Sequence, residues 1–266
     1  MKCRPVQRKY AAQAAHGAGI KIQMLKGREK MYSFDSRIRY SEVDSQGKIT
    51  LTSILDYFQD CCTFHSEDLG MGILYLMEQQ VAWILSSWQI EVKRYPSLGE
   101  RIKVGTWPYG FKGFFGYRNF TLESERGELL AYANSVWVLL DLKKERPAKL
   151  LPEMIEKYQL SPQLPMELDS RKISLPGQMK GQDFFPVHKY HIDTNQHVNN
   201  GKYVSMAQEY LTQGFKISKM RAEYRKAAVY GDIIYPFTAW EDHRITVNLA
   251  NKEGKPYAIV ELEEKR

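Results

Sequence analysis

An internal repeat constrains the fold of this chain more than any other feature of its sequence. Three segments of the first half recur in the same order in the second half. The matching pairs are residues 43–49 with 192–198, 91–102 with 223–234, and 122–131 with 249–258. Matches that keep their order favour a duplicated structural unit over chance similarity. We therefore expect two copies of one fold in the 266 residues.

Each copy combines one predicted helix with a run of predicted strands. In residues 50–64, Leu51, Ile54 and Phe58 recur at helical spacing, and Asn199 or Asn200 is placed to cap a second helix. Alternation predicts strands at 81–92, 101–107, 116–123, 129–142, 187–192, 222–226, 233–239, 244–250 and 256–262. A single helix followed by a long antiparallel run predicts an α+β unit whose sheet wraps around the helix.

The repeat also predicts the domain boundaries. The first domain is expected at residues 31–152 and the second at 182–266, with a proline-containing linker at 153–181. Residues 1–30 precede the repeat and hold eight basic side chains against one acidic one. We interpret them as a disordered extension or an over-long start, with a targeting peptide as the alternative, and expect residues 1–23 to be dispensable for catalysis.

The net charge of +7 comes from that extension, because the remaining chain holds 30 basic and 30 acidic residues. A neutral body without a DNA-reading segment argues against a nucleic-acid partner. No apolar run approaches the ~20 residues of a membrane span. The three cysteines, two of them adjacent, cannot build a disulfide framework, so a cytosolic protein is expected.

The densest cluster of chemically active side chains lies in residues 190–203. Asp193, Asn195 and His197 alternate just before the second helix, so in an extended segment they would project to one face. Histidine transfers protons near neutral pH, and free amides at a helix start polarise a carbonyl oxygen. These parts suit acyl transfer to water. The alternative interpretation is a polar turn with a histidine that has only a structural role.

The string Asp-x-Asn-x-His-Val-Asn-Asn-x-x-Tyr, from Asp193 to Tyr203, resembles the active-site signature of acyl-acyl carrier protein (acyl-ACP) thioesterases of plants and bacteria. Residues 39–44, 137–147 and 223–226 resemble further landmarks of that family, and the chain is more similar to the bacterial members. The resemblance implies a tandem hotdog fold, in which each half is a curled antiparallel sheet around one long helix. It also implies hydrolysis of fatty acyl-ACP without a metal or an organic cofactor.

The resemblance assigns roles to three residues. His197 would be the general base, Asn195 would bind the thioester carbonyl or orient the water, and Asp193 would set their geometry. The chain departs from the plant members at Ala227 and Ala228, where those proteins have a Glu-Cys pair. A cysteine nucleophile is therefore excluded there, and the residue that orients the base is left open, with Glu223 more consistent with a structural role.

The first half lacks this catalytic set, because Gln46 and Lys48 stand where the second half has Asn195 and His197. The resemblance implies that the first half contributes the acyl-chain pocket. Its candidate lining residues are Phe58, Met71, Trp83 and Trp88, which could equally fill the core. A basic loop that could dock acidic ACP contains Lys143, Lys144, Arg146 and Lys149, which could equally be a solvated turn.

Other functions stay open on the sequence alone. Hotdog proteins also include acyl-CoA thioesterases, hydratases or dehydratases of acyl carriers, and non-catalytic sensors of acyl thioesters. Residues 184–186 are faintly similar to a dehydratase string but lack its histidine. We expect no stable membrane insertion, and a homodimer is compatible with the sequence.

Overall fold

A computed structural model describes residues 31–264; the basic extension discussed above therefore lies outside the described residues. The strands are β1 (Tyr32–Arg37), β2 (Val81–Val92), β3 (Arg101–Lys112), β4 (Phe115–Ser124), β5 (Leu129–Asp141), β6 (Arg146–Pro147), β7 (Lys180–Gly181), β8 (Phe185–Pro186), β9 (Ile217–Tyr224), β10 (Ile233–Glu241), β11 (Arg244–Ala250) and β12 (Pro256–Glu264). The helices are α1 (Leu51–Asp68), α2 (Ile73–Glu78), α3 (Pro152–Lys157) and α4 (Asn200–Gln208).

One antiparallel sheet runs through both halves, in the order β1-β3-β4-β5-β2-β9-β12-β11-β10-β7. Strands β2 and β9 pair at its centre, with Trp88 opposite Ala222. Counted outward from this seam, the first half reads β2-β5-β4-β3-β1 and the second β9-β12-β11-β10-β7. The two halves therefore repeat the same sheet, and the expected α+β tandem hotdog is confirmed.

Helix α1 has the clearest sequence signals of any element. Thr50 caps its start, since its side chain accepts a hydrogen bond from the Ser53 amide at 3.1 Å. Gly70, with φ of +67°, follows its end, where a left-handed residue terminates a helix. The apolar stripe faces the inner side of the sheet, where Phe58 is fully buried. The helix ends at Asp68, one turn beyond the predicted Phe64.

Helix α4 is shorter and begins at the proposed catalytic segment. The Asn199 side chain accepts a hydrogen bond from the Gly201 amide at 2.8 Å, which confirms one of the two predicted caps. Tyr203, Val204 and Ala207 are buried against the core of the second half. Between residues 31 and 264, no helix is both long and apolar enough to cross a membrane.

The linker between the halves, residues 153–181, forms a strap across the outer face of the sheet. Gln89, on β2, donates to the Glu167 carbonyl at 2.8 Å and accepts from the Asp169 amide at 3.0 Å. Glu223, on β9, accepts from the Ile173 amide at 2.8 Å. Polar side chains of the two central strands thus pair with the strap backbone, which would otherwise be buried without partners.

One predicted strand is wrong. Residues 187–192 contain a 3-10 turn at Lys189–His191, and the nearest strand is the two-residue β8. The turn closes on itself, because the His188 amide donates to His191 Nδ1 at 3.0 Å and the His191 amide donates to the His188 carbonyl at 3.0 Å. Strand β9 also begins at Ile217, earlier than predicted.

A buried polar cluster lies at the end of α1. Arg118, 8% exposed, donates to His65 Nδ1 at 2.9 Å and to Thr106 Oγ1 at 3.3 Å. The His65 ring stacks on Tyr32 at 5.0 Å, and the Arg118 guanidinium lies 5.5 Å from the Tyr158 ring centre. Burial, followed by the positive charge of Arg118, lowers the pKa of His65 to about 4.

This pKa predicts a stability loss on acidification. An unfolded chain protonates His65 below its ordinary pKa of 6.5, whereas the folded chain resists until about pH 4. The unfolded state thus binds more protons in that window, so folding should lose about 2 to 3 kcal/mol as the pH falls from 6.5 to 4. Urea titrations at pH 7 and 4.5 should show this loss in the wild type. The His65→Gln variant is the control for the carboxylates, and an equal pH dependence in both proteins would contradict the prediction.

Candidate active site

The segment that carries Asp193, Asn195 and His197 is a tight turn and not an extended strand. Ile192 and Val198 form an antiparallel bridge, and the Asp193 amide donates to the His197 carbonyl at 2.8 Å. Gln196 at its tip has a φ of +63°. The predicted projection of alternate side chains from one strand face is therefore wrong.

Asp193 shapes this turn. Its Oδ1 accepts a hydrogen bond from the Asn195 amide at 2.8 Å. The first half contains the same turn, where Asp44 Oδ1 accepts from the Gln46 amide at 2.8 Å and from the Lys48 amide at 3.0 Å. Asp44 makes these bonds in a half that has no histidine at the equivalent position, so the shared function of the two aspartates is to hold the backbone of the turn. This geometry supports the positioning role expected for Asp193.

Asn195 and His197 lie on the exposed surface of the turn. Within the described range 31–264, neither side chain forms a hydrogen bond to another residue, which leaves both accessible to a substrate. Glu223 does not orient His197: its carboxylate binds the Ile173 amide and the Arg225 guanidinium, on the outer face of the sheet. Its structural role agrees with the sequence interpretation.

Hydrogen bonds to the segment that follows β9 fix the position of the turn. The Val198 amide donates to the Ala228 carbonyl at 2.9 Å, and the Ala228 amide donates to the Tyr203 hydroxyl at 2.8 Å. The Tyr224 hydroxyl donates to the Asn200 carbonyl at 3.1 Å. Ala228 is fully buried here, and its methyl group brings neither a thiol nor a carboxylate to the turn.

His191 is a supporting residue that the sequence interpretation missed. Its carbonyl accepts a hydrogen bond from the Asn199 amide at 2.9 Å, which ties the 3-10 turn to the start of α4. Burial, with the neighbouring His188 and Lys202, lowers the pKa of His191. A turn closed by a side chain on its own backbone has no periodicity, so only the density of histidines in this segment could have drawn attention to it.

Two family matches cover most of the chain. Residues 29–158 match the acyl-ACP thioesterase N-terminal domain, and residues 177–260 match the acyl-ACP thioesterase C-terminal domain. The chain belongs to the acyl-ACP thioesterase family. The turn at residues 192–198, the proposed catalytic turn, lies in the segment that matches the C-terminal domain.

Individual relatives of this thioesterase family member are distant in sequence. The chloroplastic palmitoyl-acyl carrier protein thioesterase of Gossypium hirsutum is 25% identical over 244 residues, which cover 83% of this chain and 57% of that protein. The chloroplastic oleoyl-acyl carrier protein thioesterase 1 of Arabidopsis thaliana is 24% identical, over 76% of this chain and 61% of that protein. The chain thus spans less than two thirds of the length of either relative.

Solved structures show the shared fold. An acyl-ACP thioesterase from Bacteroides thetaiotaomicron superposes with a TM-score of 0.82 at 24% identity, over 90% of this chain and 99% of that one. The 12:0-ACP thioesterase from Umbellularia californica superposes with a TM-score of 0.77 at 18% identity, over 88% and 97% of the two chains. Both likenesses extend over the two halves of the sheet.

The four proposed pocket residues fall into two separate clusters. Phe58 and Trp88, 0% and 2% exposed, lie in the main core, where both pack on Phe120 with ring centres 5.3 and 4.8 Å away. Met71 is buried in a second cluster, and the half-buried Trp83 packs against that cluster. Any contact of these residues with an acyl chain stays a prediction.

The four proposed docking residues are all exposed and lie in residues 143–149, which begin with the turn after β5 and continue through β6. The Lys143 and Lys144 amides both donate to Asp141 Oδ1 at 3.0 Å, and Lys144 Nζ lies 3.5 Å from Asp141 Oδ2. Arg146 pairs with Asp141 in the short strand β6, and Lys149 follows it. Strand β2 starts opposite Asp141 and runs antiparallel to β9, so the basic turn lies at the end of the sheet where β9 ends. The proposed catalytic turn is hydrogen-bonded to Ala228, which follows β9, and therefore lies at the same end.

A cavity of about 210 Å³ lies under the strap, on the outer face of the sheet. Its lining includes Gln89, Tyr109, Asn134 and Arg171. This face is opposite to α1 and α4, so the cavity is separate from the proposed catalytic turn. Among residues 31–264, no three histidine, cysteine or acidic side chains converge in a metal-binding arrangement.

Proposed function

We propose that this family member hydrolyses the thioester of fatty acyl-ACP, releasing free fatty acid and ACP and so ending chain synthesis. The observation that carries the proposal is the catalytic turn itself. Both halves build the same turn with an aspartate, yet only the second half presents an asparagine and a histidine on it. We therefore assign acyl-chain binding to the domain at residues 31–152 and thioester hydrolysis to the domain at residues 182–266. The linker at 153–181 joins the two domains.

The proposed reaction uses the side chains of that turn. His197 takes a proton from a water molecule, whose oxygen then forms a bond to the thioester carbonyl carbon. Asn195 binds the carbonyl oxygen or orients the water. The Gly201 and Lys202 amides at the start of α4 are not available to that oxygen, because both already donate to Asn199. The carbon–sulfur bond breaks, and the proton held by His197 passes to the departing thiolate.

The decisive experiment follows both products. Purified protein is incubated with acyl-ACPs of graded chain length, and free ACP thiol and free fatty acid are measured together. Hydrolysis should release the two in equal amounts. Binding of acyl-ACP without thiol release would support a non-catalytic sensor, whereas a changed acyl chain still attached to ACP would support a hydratase or dehydratase. Faster release from acyl-CoA than from acyl-ACP would favour the acyl-CoA thioesterase alternative.

The expected macromolecular partner is ACP, and the basic turn after β5 is its proposed docking surface. A Lys143→Glu, Lys149→Glu double variant should raise KM for acyl-ACP several-fold while kcat and acyl-CoA hydrolysis stay nearly unchanged, because only the carrier is repelled. The kcat/KM of the wild type for acyl-ACP should also fall with added salt. These lysines suit the test because neither is in an ion pair with another described residue, unlike Lys144.

A matched control reverses two exposed basic residues at the opposite end of the sheet, Arg126 and Lys216. That variant should keep the KM of the wild type for acyl-ACP. Equal effects of the two double variants, or equal effects on acyl-ACP and acyl-CoA, would contradict docking on the basic turn. A cytosolic location and a homodimer stay predictions.

A further inference from the structure

We propose that the cavity under the strap binds a small monocarboxylate, at a site that is separate from the proposed catalytic turn and independent of the proposed function. The cavity measures about 210 Å³ and lies between the strap and strands β2, β3, β4, β5 and β9. A benzene molecule fits a cavity of roughly 150 Å³, and one water molecule takes up only about 30 Å³. The cavity is therefore large enough for a compact organic molecule.

Hydrogen-bond donors without protein partners line this cavity. Asn134, 8% exposed, accepts a hydrogen bond from the Tyr109 hydroxyl at 2.7 Å through its Oδ1, whereas its Nδ2 has no acceptor within residues 31–264. The hydroxyl of Ser87, 6% exposed, has no partner in that range either. Buried polar groups are nearly always hydrogen-bonded, so donors that line a cavity indicate a bound molecule with acceptor atoms.

The cavity also contains a positive charge that no described acid neutralises. Arg171 donates to Ser86 Oγ at 2.9 Å and forms no ion pair with any residue that the structure describes. Arg221 and Asp169, the other charged residues of the lining, are already in ion pairs, with 3.8 Å between Arg221 Nε and Asp169 Oδ2. One unpaired guanidinium suits one negative charge, and its fork of N–H donors matches the two oxygens of a carboxylate.

The rest of the wall is largely apolar and aromatic. The Tyr109 and Tyr117 rings lie 5.8 Å apart, and Phe115 continues the row with its ring centre 6.3 Å from that of Tyr117. The Arg171 guanidinium lies 5.6 Å from the Phe115 ring centre, so the charge is next to this row. The aliphatic residues of the lining are Val136, Leu168 and Ile173. Because such a wall offers water few hydrogen bonds, it favours a ligand that combines the carboxylate with a compact apolar body.

The strap holds Arg171 in place on both sides. Two residues before it, the Asp169 amide donates to Gln89 at 3.0 Å, and two residues after it, the Ile173 amide donates to Glu223 at 2.8 Å. Both acceptors lie on the central strands of the sheet. The site is thus formed before a ligand arrives, so little ordering is needed for binding. A ligand that binds only the folded chain should also stabilise it.

The test measures binding of hexanoate and benzoate to the full chain by calorimetry and by thermal unfolding. We expect saturable binding of one molecule per chain and a rise in melting temperature. The uncharged analogue 1-hexanol should bind at least about tenfold more weakly. Tighter binding of benzoate would identify an aromatic acid as the ligand class, and tighter binding of hexanoate an aliphatic acid. Absence of binding by both acids at millimolar concentration would show that the cavity holds only water, and would overturn the proposal.

Two variants of the lining locate the bound carboxylate. Arg171→Gln keeps a donor for Ser86 and removes the charge, so it should raise Kd for the bound acid at least about tenfold. Asn134→Asp keeps the acceptor for Tyr109 and replaces the free donor with a negative charge, so it should abolish binding. Lys172→Gln is the matched control: it removes an equal charge from the next residue of the strap, which is exposed and outside the lining. Its Kd should stay within about twofold of the wild type, and equal weakening by Arg171→Gln and Lys172→Gln would overturn the proposal.

A last variant separates this site from the proposed catalytic turn. His197→Ala should bind the same acid with the Kd of the wild type, because the cavity lies on the face of the sheet opposite to α4. Loss of binding in that variant would place the carboxylate at the turn and would overturn the proposal. All of these measurements record binding and none records turnover, so they decide the carboxylate site even if the protein fails to hydrolyse acyl-ACP.

Discussion

Replacing His197 by alanine is expected to lower thioester hydrolysis by about 10²- to 10⁴-fold, the usual contribution of a positioned acid–base group. The melting temperature should change little, because the side chain is exposed and forms no hydrogen bond within residues 31–264. Release of ACP thiol measures the first quantity, and thermal unfolding measures the second. Near wild-type turnover in the folded variant would reject His197 as the base.

The duplicated turn offers an internal control for this experiment. Lys48 occupies the position of His197 in the first half, where its Nζ donates to Ser97 Oγ at 2.8 Å. Lys48→Ala should therefore keep turnover within about twofold of the wild type. A loss comparable to that of His197→Ala would show that both halves take part in the chemistry.

Replacing Trp88 by alanine is expected to lower the free energy of unfolding by about 3 to 5 kcal/mol. The indole is 2% exposed at the seam of the two half-sheets and packs on Phe58 and Phe120, so its removal leaves a large void where the halves meet. Denaturant titration measures the loss. The variant should unfold at a lower denaturant concentration than the wild type, whichever acyl-chain length it hydrolyses fastest.

Trp83→Ala is the matched control, since this indole is only half-buried and stacks on Phe111 with ring centres 6.4 Å apart. Its loss should cost clearly less than the loss of Trp88. If Trp88→Ala were as stable as the wild type but hydrolysed longer acyl chains, Trp88 would line the acyl pocket and its packing would contribute little to stability. Comparing both variants across acyl-ACPs of graded length separates these outcomes.

Much of the architecture could be predicted from local patterns. Alternation predicted β2 and β11 with their observed bounds, and the helical stripe predicted α1 to within one turn at its end. The ordered repeat predicted the second copy of the sheet. These predictions succeeded because burial on one face of a strand or helix imposes a period on the residues of that element alone.

The proposed catalytic turn shows where periodicity misleads. Alternating Asp193, Asn195 and His197 indicated an extended segment, yet the Asp193 side chain closes a turn on the Asn195 amide. The equivalent hydrogen bond of the first half, from the Gln46 amide to Asp44, was not predicted either. A turn held by a side chain on its own backbone is decided by hydrogen-bond geometry, which leaves no period in the sequence.

The sequence by itself determined the duplicated α+β architecture, the start of α1 and the residue types of the proposed catalytic turn. Only the tertiary structure decided which distant residues meet that turn and the sheet. Gln89 and Glu223 are polar residues on central strands, and they are buried because the strap covers them. Helix α1 packs against α4 because the two half-sheets join at β2 and β9. A residue's period reports the face of its own element, whereas its neighbours on other elements depend on how the whole sheet closes.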